Sequence, residues 1–517
     1  MAGVWLYKVV NIIIILSKLL YLELQTQKTT KKIFMSIWRR KSLALLMSEA
    51  SESEKGLKRT LSSRALVALG IGAIIGAGLF SLTGIAAADH AGPAVTLSFI
   101  LAAVGCAFAG LCYAEFASMI PVAGSAYTYS YATMGEFMAW IIGWDLVLEY
   151  ALGAATVGVS WSRYLLELLS KYNIHIPAEL SCSPWETLTV NGEVINGGLI
   201  NLPAIFIVVM LSLLLIRGTK ESASMNNVLV VLKIAVVILF IVIGWSFIDE
   251  ANYTPYIPEN TGVKGQFGWS GIAAGAGTVF FAFIGFDAVS TAAQEAKDPQ
   301  RGMPIGILGS LVICTILYVL FAHVMTGLVP YYEFAGDAKP AATAFAVTGY
   351  DFLQTGLIIA ILAGYTSVIL VMLMGQSRVF YSMSNDGLLP RFFGDIHSKF
   401  RTPWKTNLFF MVFVSLFAGF VPVSDLGHMV SIGTLLAFAL VCIGVMIMRK
   451  KMPDAPRAFR TPLVPFVPVA GIVVCFYLMY SLPSESWLRL IIWMLLGVVV
   501  YFFYGKNKSK LNKKNIM

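Results

Sequence analysis

Two apolar segments of this chain are interrupted by small residues where a membrane-spanning helix would be most regular. The interruptions lie within Gly70–Gly78 and Gly275–Gly285. Glycine in a helix interior costs about 1 kcal/mol relative to alanine and lets the backbone leave the helix. Each segment therefore has the residue types needed to bind a ligand through freed main-chain groups.

The first interruption would present backbone N–H groups beside the start of a half-helix, which suits a carboxylate. Its predicted substrate-binding residues are Ile75, Gly76, Ala77 and Gly78. Close helix packing through small residues is the alternative explanation. A second interruption about 200 residues away favours the binding site, because two halves that each supply one broken helix are typical of transporters.

The second interruption would present carbonyl oxygens to an ammonium group. Its predicted substrate-binding residues are Phe280, Phe281 and Ala282. Phe281 could close over the bound cation, and packing is the alternative for such an aromatic run. Asp287, two residues beyond Gly285, is predicted to take part in ion coupling.

Lys233 lies about 10 Å inside an apolar stretch, counted as seven residues at the helical rise. A lysine at the centre of a membrane helix costs about 2.5 to 3.5 kcal/mol. Its side chain would have to stretch to reach the membrane surface. A buried ammonium group of this kind could occupy a place where a related transporter holds a metal cation, and Lys233 is a candidate for proton coupling.

Glu149 is the matching acidic residue of another apolar stretch. A buried carboxylate could pair with a cation of the protein or with a cationic side chain of the substrate, and we expect the substrate. Asp145 lies one turn earlier on the same helix face, where we expect water to solvate it. Beyond the second interruption, Glu295 and Arg301 are predicted to form a solvated ion pair that acts as a gate latch.

These residues need a helical membrane protein to position them. Apolar residues make up 58% of the 517 and charged residues only 13%, which is typical of an integral membrane protein. About twelve stretches are long enough to cross a bilayer: 65–88, 93–118, 136–168, 198–217, 224–248, 270–294, 303–329, 343–380, 407–421, 428–448, 465–482 and 487–504. The predicted fold class is all-α, with about 12 transmembrane helices.

An even number of spans places the segments richest in lysine and arginine on one side of the membrane. Both termini should therefore be cytoplasmic, in a multi-pass protein of the plasma membrane. The same asymmetry explains the net charge of +9, so binding to nucleic acid is an unnecessary explanation. The loop 121–129 lacks lysine and arginine although it should be cytoplasmic, which indicates a short amphipathic element or a tight connection.

The predicted organisation has three parts: a cytoplasmic N-terminal segment at 1–60, a membrane domain at 61–505 and a basic cytoplasmic tail at 506–517. Repeat one of the membrane domain covers about 64–248, repeat two about 269–448 and helices 11 and 12 about 465–504. Residues 1–34 are either an interfacial helix or an upstream extension before a true start at Met35, and the basic residues 36–41 favour the second.

Catalytic and metal-binding patterns are missing from the sequence. The six cysteines are scattered and have neither a CxxC pattern nor a His-rich segment beside them. No HExxH, Ser/His/Asp set or paired intramembrane aspartates are present. We therefore expect neither an enzyme nor a cofactor or metal.

The motifs, taken in order, resemble the amino acid–polyamine–organocation superfamily, and within it the bacterial cationic amino acid transporters. The residues that carry the resemblance are Gly70–Phe80, Tyr113–Phe116, Pro121–Tyr129, Phe283–Asp287 and Asp298–Arg301. The match runs from about 57 to 505. It implies a leucine-transporter-like 5+5 inverted repeat with broken helices 1 and 6.

The resemblance also implies roles for single residues. The substrate carboxylate would lie on the first interruption and its amino group on the carbonyls of the second. Lys233 would replace a sodium ion, and Glu149 would face the substrate side chain. Many relatives have Ser or Thr where this chain has Ala77. Because Ala77 lacks the hydroxyl group, a side-chain contact from this position to the substrate carboxylate or to Lys233 is in doubt.

The predicted function is secondary active transport of amino acids, proton-coupled and sodium-independent. The expected substrates are arginine, lysine and ornithine, or a broader range. An amino acid exchanger is the alternative, followed by a non-transporting amino acid sensor. The expected partners are the amino acid, protons and membrane lipids, and the sequence leaves the oligomeric state open.

Overall fold

A computed structural model of the chain describes residues 38–42, 61–120, 125–190, 193–217, 222–291, 293, 296–337, 339–400 and 402–513. Within these ranges, eight helical stretches are long and apolar enough to cross a membrane, and four shorter apolar helices accompany them. The chain is therefore a helical membrane protein, as the sequence predicts. Helices dominate because a backbone in lipid must satisfy its own hydrogen bonds.

Among the described residues, the first half contains nine α-helices: α1 (Ser63–Ile74), α2 (Ala77–Phe80), α3 (Leu82–Ala86), α4 (Val95–Met119), α5 (Ser125–Thr133), α6 (Glu136–Val147), α7 (Gly153–Ser170), α8 (Leu202–Arg217) and α9 (Ser222–Trp245). A π-helical turn, Leu148–Leu152, joins α6 to α7. A short antiparallel hairpin that the sequence analysis did not predict, β1 (Thr187–Val190) with β2 (Glu193–Asn196), lies in the connection before α8.

The second half contains α10 (Gly268–Val279), α11 (Ala288–Thr291), α12 (Pro299–Leu328), α13 (Pro340–Ala346), α14 (Asp351–Asn385), α15 (Trp404–Phe420), α16 (Val423–Lys451), α17 (Phe466–Ser481), α18 (Ser484–Val500), α19 (Lys506–Lys508) and α20 (Lys510–Lys513). The helix α12 packs against α1 and α4, and α14 packs against α7. These contacts enclose the two interrupted helices.

Helix α5 occupies most of the loop that lacks lysine and arginine. All nine of its residues are buried, so it is an inserted helix rather than an amphipathic one on the surface. Tyr127 donates a hydrogen bond to Asp386 (2.6 Å) and Tyr131 to Glu136 (2.9 Å). These buried contacts explain why the segment carries no basic residue. Residues 121–124 of the loop lie outside the described ranges.

The first interruption separates α1 from α2. Ile75 is extended, with ψ 107°, and its N–H still donates to Ile71. Helical geometry resumes at Ala77. Within the described chain, the N–H groups of Gly76, Ala77 and Gly78 have no acceptor, so three adjacent donors are available at this point.

The second interruption follows α10. A 3-10 turn covers Phe280–Phe283, Ile284 is extended, and Gly285 has φ +112°. That φ favours glycine, because a Cβ makes the left-handed region unfavourable. Helical geometry resumes at Ala288. Carbonyl groups around this turn therefore leave the continuous α-helical ladder.

The two interruptions touch each other through their backbones. A Cβ placed on Gly78 would lie 2.2 Å from Cα of Ala282, and one on Gly285 would lie 2.9 Å from the carbonyl oxygen of Ala73. Gly76 is different, because a Cβ there would lie at ordinary contact distances, 3.4 Å from Val368 and 3.9 Å from the carbonyl oxygen of Ile74. Packing thus requires glycine at position 78 and leaves space at position 76.

Tyr318 of α12 ties the two interruptions together from the side. Its buried hydroxyl lies 2.9 Å from the carbonyl oxygens of both Ile74 and Ala282. One phenolic hydrogen is therefore shared between the last residue of α1 and the turn after α10.

We predict that Gly78→Ala destabilises the protein and that Gly76→Ala, the matched control, has little effect. The added methyl group at 78 collides with backbone atoms that cannot rotate away, and such overpacking costs about 1 to 3 kcal/mol. Thermal unfolding of the two purified variants measures the difference. Equal unfolding temperatures would contradict the backbone contact.

We predict that Tyr318→Phe also lowers the unfolding temperature. The change leaves two buried carbonyl groups without a donor, and an unsatisfied buried group costs about 1 to 3 kcal/mol. Tyr332→Phe is the control, because Tyr332 is 62% exposed. A Tyr318→Phe protein as stable as this control would show that the shared hydrogen bond is unimportant.

Candidate functional site

The structure brings the predicted binding residues of both interruptions together. Ile75 and Ala77 lie on one side of the contact, and Phe280, Phe281 and Ala282 lie on the other. All of them are buried, as are Gly76 and Gly78. The donors of the first interruption and the turn of the second thus form one enclosed region.

Lys233 of α9 reaches the first interruption. Its ammonium group, 1% exposed as a residue, donates a hydrogen bond of 2.7 Å to the carbonyl oxygen of Gly72 near the end of α1. Its aliphatic stem packs on Gly364 of α14, where a Cβ would lie 3.1 Å from Cε of Lys233. The positive charge therefore lies at the carbonyl end of a helix, where the helix dipole favours a cation.

The missing hydroxyl at Ala77 does not leave Lys233 without an acceptor. The ammonium group uses the main chain of Gly72 instead. Among the described residues, no carboxylate forms an ion pair with Lys233. Its charge is thus offset by backbone carbonyl groups rather than by an acid.

Glu149 lies on the π-helical turn Leu148–Leu152 and is fully buried. Such turns widen a helix and are frequent at functional sites. Neither carboxylate oxygen has a hydrogen-bond partner in the described part of the chain. Its polar neighbours are Asp287 and Thr434. The carboxyl group is therefore placed beside another acid rather than beside a base.

Asp287 is held by hydroxyl groups from two other elements. Tyr150 donates to its Oδ2 at 2.7 Å and Ser125 at 3.2 Å. Its Oδ1 has no partner among the described residues. The structure thus separates the two predicted coupling residues, with Lys233 at α1 and Asp287 beside Glu149.

Asp145 is buried as well, and the expectation that water solvates it is wrong. The residue is 1% exposed, and both carboxylate oxygens lack a partner within the described ranges. The cause is α16, whose Gly433 packs so closely that a Cβ there would lie 2.9 Å from Oδ1 of Asp145. Three buried acids therefore lie along one side of the bundle.

The predicted latch of Glu295 with Arg301 stays a prediction, because Glu295 lies outside the described residues. Arg301 is exposed, and its backbone N–H donates to the side chain of Asp298 at 3.3 Å. Asp298 is thus the N-cap residue of α12.

Sequence reasoning missed the hydroxyl groups that line the site. Tyr150 directly follows Glu149, so the same helical segment could have indicated it. Ser125, Tyr318 and Thr434 had no such signal, because each reaches the site from an element that is distant in sequence. Only tertiary packing brings them together.

Ion pairs close the bundle at both ends of α14. At one end, Lys41 of the N-terminal segment pairs with Asp386 at 2.5 Å, and both side chains are largely buried. At the other end, Lys339 pairs with Glu167, and Lys171 donates to Gln354. The binding region is thus occluded, with polar contacts on either side of it.

Comparison with known proteins identifies the relatives of this chain. Residues 61–514 match the model of the amino acid permease family. The chain is 45% identical to the branched-chain amino acid permease BcaP of Bacillus subtilis, over 92% of this chain and 99% of the relative. It is 42% identical to the methylthioribose transporter of Bacillus subtilis, over 92% and 100%. It is 30% identical to the vacuolar cationic amino acid transporter 4 of Arabidopsis thaliana, over 92% and 96%. Both the interrupted helices and these matches place the chain among transporters rather than enzymes, and it belongs to the amino acid permease family.

Proposed function

We propose that this amino acid permease is a proton-coupled, sodium-independent secondary transporter. The observation that carries the proposal is the ammonium group of Lys233, 2.7 Å from the carbonyl oxygen of Gly72. Carbonyl oxygens at the end of a helix are typical ligands for a coupling cation in broken-helix transporters. An ammonium group fixed there supplies the positive charge, so no sodium ion is needed at that position.

The proposed fold is the leucine-transporter-like inverted repeat. The eight long and four shorter apolar helices add up to the twelve spans expected. Each predicted repeat contains one interrupted helix, first at Ile75–Gly76 and then at Phe280–Gly285. We extend the proposal to the predicted domain boundaries and to a plasma-membrane protein with both termini in the cytoplasm.

The substrate is proposed to bind through its main-chain groups. Its carboxylate would accept hydrogen bonds from the N–H groups of Gly76, Ala77 and Gly78, which have no acceptor within the described chain. Its ammonium group would meet carbonyl oxygens of the turn Phe280–Phe283. Phe281, 4% exposed, would cover the ligand. This arrangement would recognise the carboxylate and ammonium groups that all amino acids share.

Proton coupling is proposed to involve Asp287 together with Lys233. Burial and mutual repulsion both oppose two negative charges on neighbouring carboxyl groups that have no cation beside them. Glu149 and Asp287 are such a pair. One proton held between them would leave the pair with a single negative charge and could be released when the site opens.

The class of substrate side chain depends on what neutralises Glu149. The first candidate is a cationic amino acid, favoured by two carboxylate oxygens that have no partner in the described part. The second is a neutral amino acid with a proton on the acid pair, favoured by the position of Asp287 beside Glu149. The relatives are named for different substrates, namely branched-chain amino acids, cationic amino acids and methylthioribose.

We predict that Lys233→Met abolishes gradient-driven accumulation. Methionine keeps a flexible apolar stem against Gly364 but removes the charge from the end of α1. Uptake of labelled amino acids into proteoliposomes measures the effect, with pH and sodium gradients varied separately. Lys399→Met is the control, because Lys399 is exposed.

Undiminished pH-dependent uptake by a folded Lys233→Met protein would exclude the coupling role. Wild-type uptake that requires sodium would contradict the proposal independently. Counterflow in the absence of any ion gradient, but no net uptake with one, would identify an exchanger instead.

We predict that Glu149→Gln weakens binding of arginine, lysine and ornithine much more than binding of alanine or leucine. Removing one partner of a buried charge pair costs about 2 to 5 kcal/mol. Competition binding across the twenty amino acids, in wild type and variant, gives the two profiles. Glu250→Gln is the control, because Glu250 lies in an exposed turn.

An equal loss for all substrates would contradict a contact between Glu149 and the substrate side chain. If binding then also loses its dependence on pH, the acid pair holds the coupling proton and the protein is a broader amino acid permease. The pH dependence therefore separates the two candidates.

A further inference from the structure

A groove of about 670 Å³ opens beside the N-terminal segment, away from the substrate region. Its lining comes from three parts of the fold: the segment 38–42, the junction of α5 with α6, and the last turns of α16. The lining residues are Trp38, Arg40, Met134, Met138, Leu440, Ile443, Ile447 and Lys451. Six of these eight side chains are apolar, and the other two are basic.

The segment 38–42 is held in place so that alternate residues face the groove. The carbonyl of Arg39 accepts a hydrogen bond from Glu136 at 2.8 Å, and Lys41 is buried against Asp386. Trp38 and Arg40 line the groove, whereas the buried Lys41 pairs with Asp386 instead.

The residues of α16 form one stripe along the groove. Leu440, Ile443, Ile447 and Lys451 recur every three or four residues, which places them on one helix face. From Lys451 to Leu440 the stripe is about 16 Å long at the helical rise. It thus extends from the last residue of a membrane-spanning helix well into the apolar layer.

The two basic residues lie at the same end of the groove. Arg40 is close enough to Lys451 for their charges to repel. Within the described ranges, neither forms an ion pair, and the lining contains no acid. Two like charges above an apolar stripe are complementary to an anionic head group with a hydrocarbon tail.

We propose that this groove binds one anionic phospholipid from the adjoining membrane leaflet. The phosphate lies between Arg40 and Lys451, and one acyl chain follows the stripe toward Leu440. Because the lipid contacts both the segment 38–42 and α16, it holds the segment that also carries Lys41 against α16. The proposal is independent of the substrate.

Native mass spectrometry of the full-length, delipidated protein tests the site. Phosphatidylglycerol and phosphatidylcholine are added in equal amounts, and the ratio of the two bound forms is measured. Each basic residue near a membrane surface contributes about 1 kcal/mol toward anionic lipid. Arg40→Ala with Lys451→Ala should therefore lower the preference for phosphatidylglycerol by about thirtyfold.

Arg391→Ala with Lys450→Ala is the matched control. It removes the same net charge from two exposed residues outside the groove, and the preference should stay as in wild type. An equal loss of preference in both double variants would show that the preference depends on the surface charge in general and not on the groove, and it would overturn the proposal. An unchanged preference in the Arg40/Lys451 variant would overturn it as well.

A second variant tests the apolar stripe. Ile447→Trp should fill the groove and displace the bound lipid while both cations remain, whereas Leu496→Trp, on a side chain that is 52% exposed, should leave binding intact. Undiminished retention in Ile447→Trp would place the lipid elsewhere. Binding only after removal of residues 1–34 would mean that the chain itself fills the groove, and would also overturn the proposal.

Discussion

The structure depends on the direct backbone contact between two unwound helices. Gly78 meets Ala282 at a separation that excludes even a methyl group, and Gly285 meets Ala73 in the same way. Interrupting a helix inside a membrane is unfavourable unless its freed groups are satisfied by protein or ligand. Placing both interruptions together confines this requirement to one buried place, where Tyr318 satisfies a carbonyl of each. The substrate is proposed to satisfy the rest.

The buried basic residue and the buried acidic residues lie in separate places around that contact. Lys233 lies at the end of α1 on a main-chain carbonyl, and Glu149 and Asp287 lie together among hydroxyl groups. A directly paired lysine and acid would neutralise each other and would respond weakly to a substrate or proton. Kept apart from Lys233, the carboxylate oxygens of Glu149 have no partner in the described chain, so a substrate cation or a proton could bind there in the proposed cycle.

Much of the site could be predicted from residue types that are unfavourable in a membrane span. The glycines of both interruptions, Lys233, Glu149 and Asp287 all stood out for this reason, and the structure finds every one of them buried. Their grouping could not be predicted, because it depends on which helix face packs inward. Asp145 is an example of what the sequence could not predict. Its position near the end of the span predicted that water would solvate its carboxylate, but α16 packs over it. The π-helical turn at Glu149 had no sequence signal at all.

The contact between Lys41 and Asp386 gives the N-terminal segment a part in the proposed transport cycle. Asp386 accepts contacts from Lys41 and from Tyr127 of the inserted helix α5, whose first residue Ser125 also reaches Asp287. A movement that breaks the contact between Lys41 and Asp386 would therefore act on the same short helix that holds the acid pair. The nine residues of α5 thus connect the contact at Asp386 with the contact at Asp287, and the proposed proton release from Asp287 would be linked to this end of the bundle through that helix.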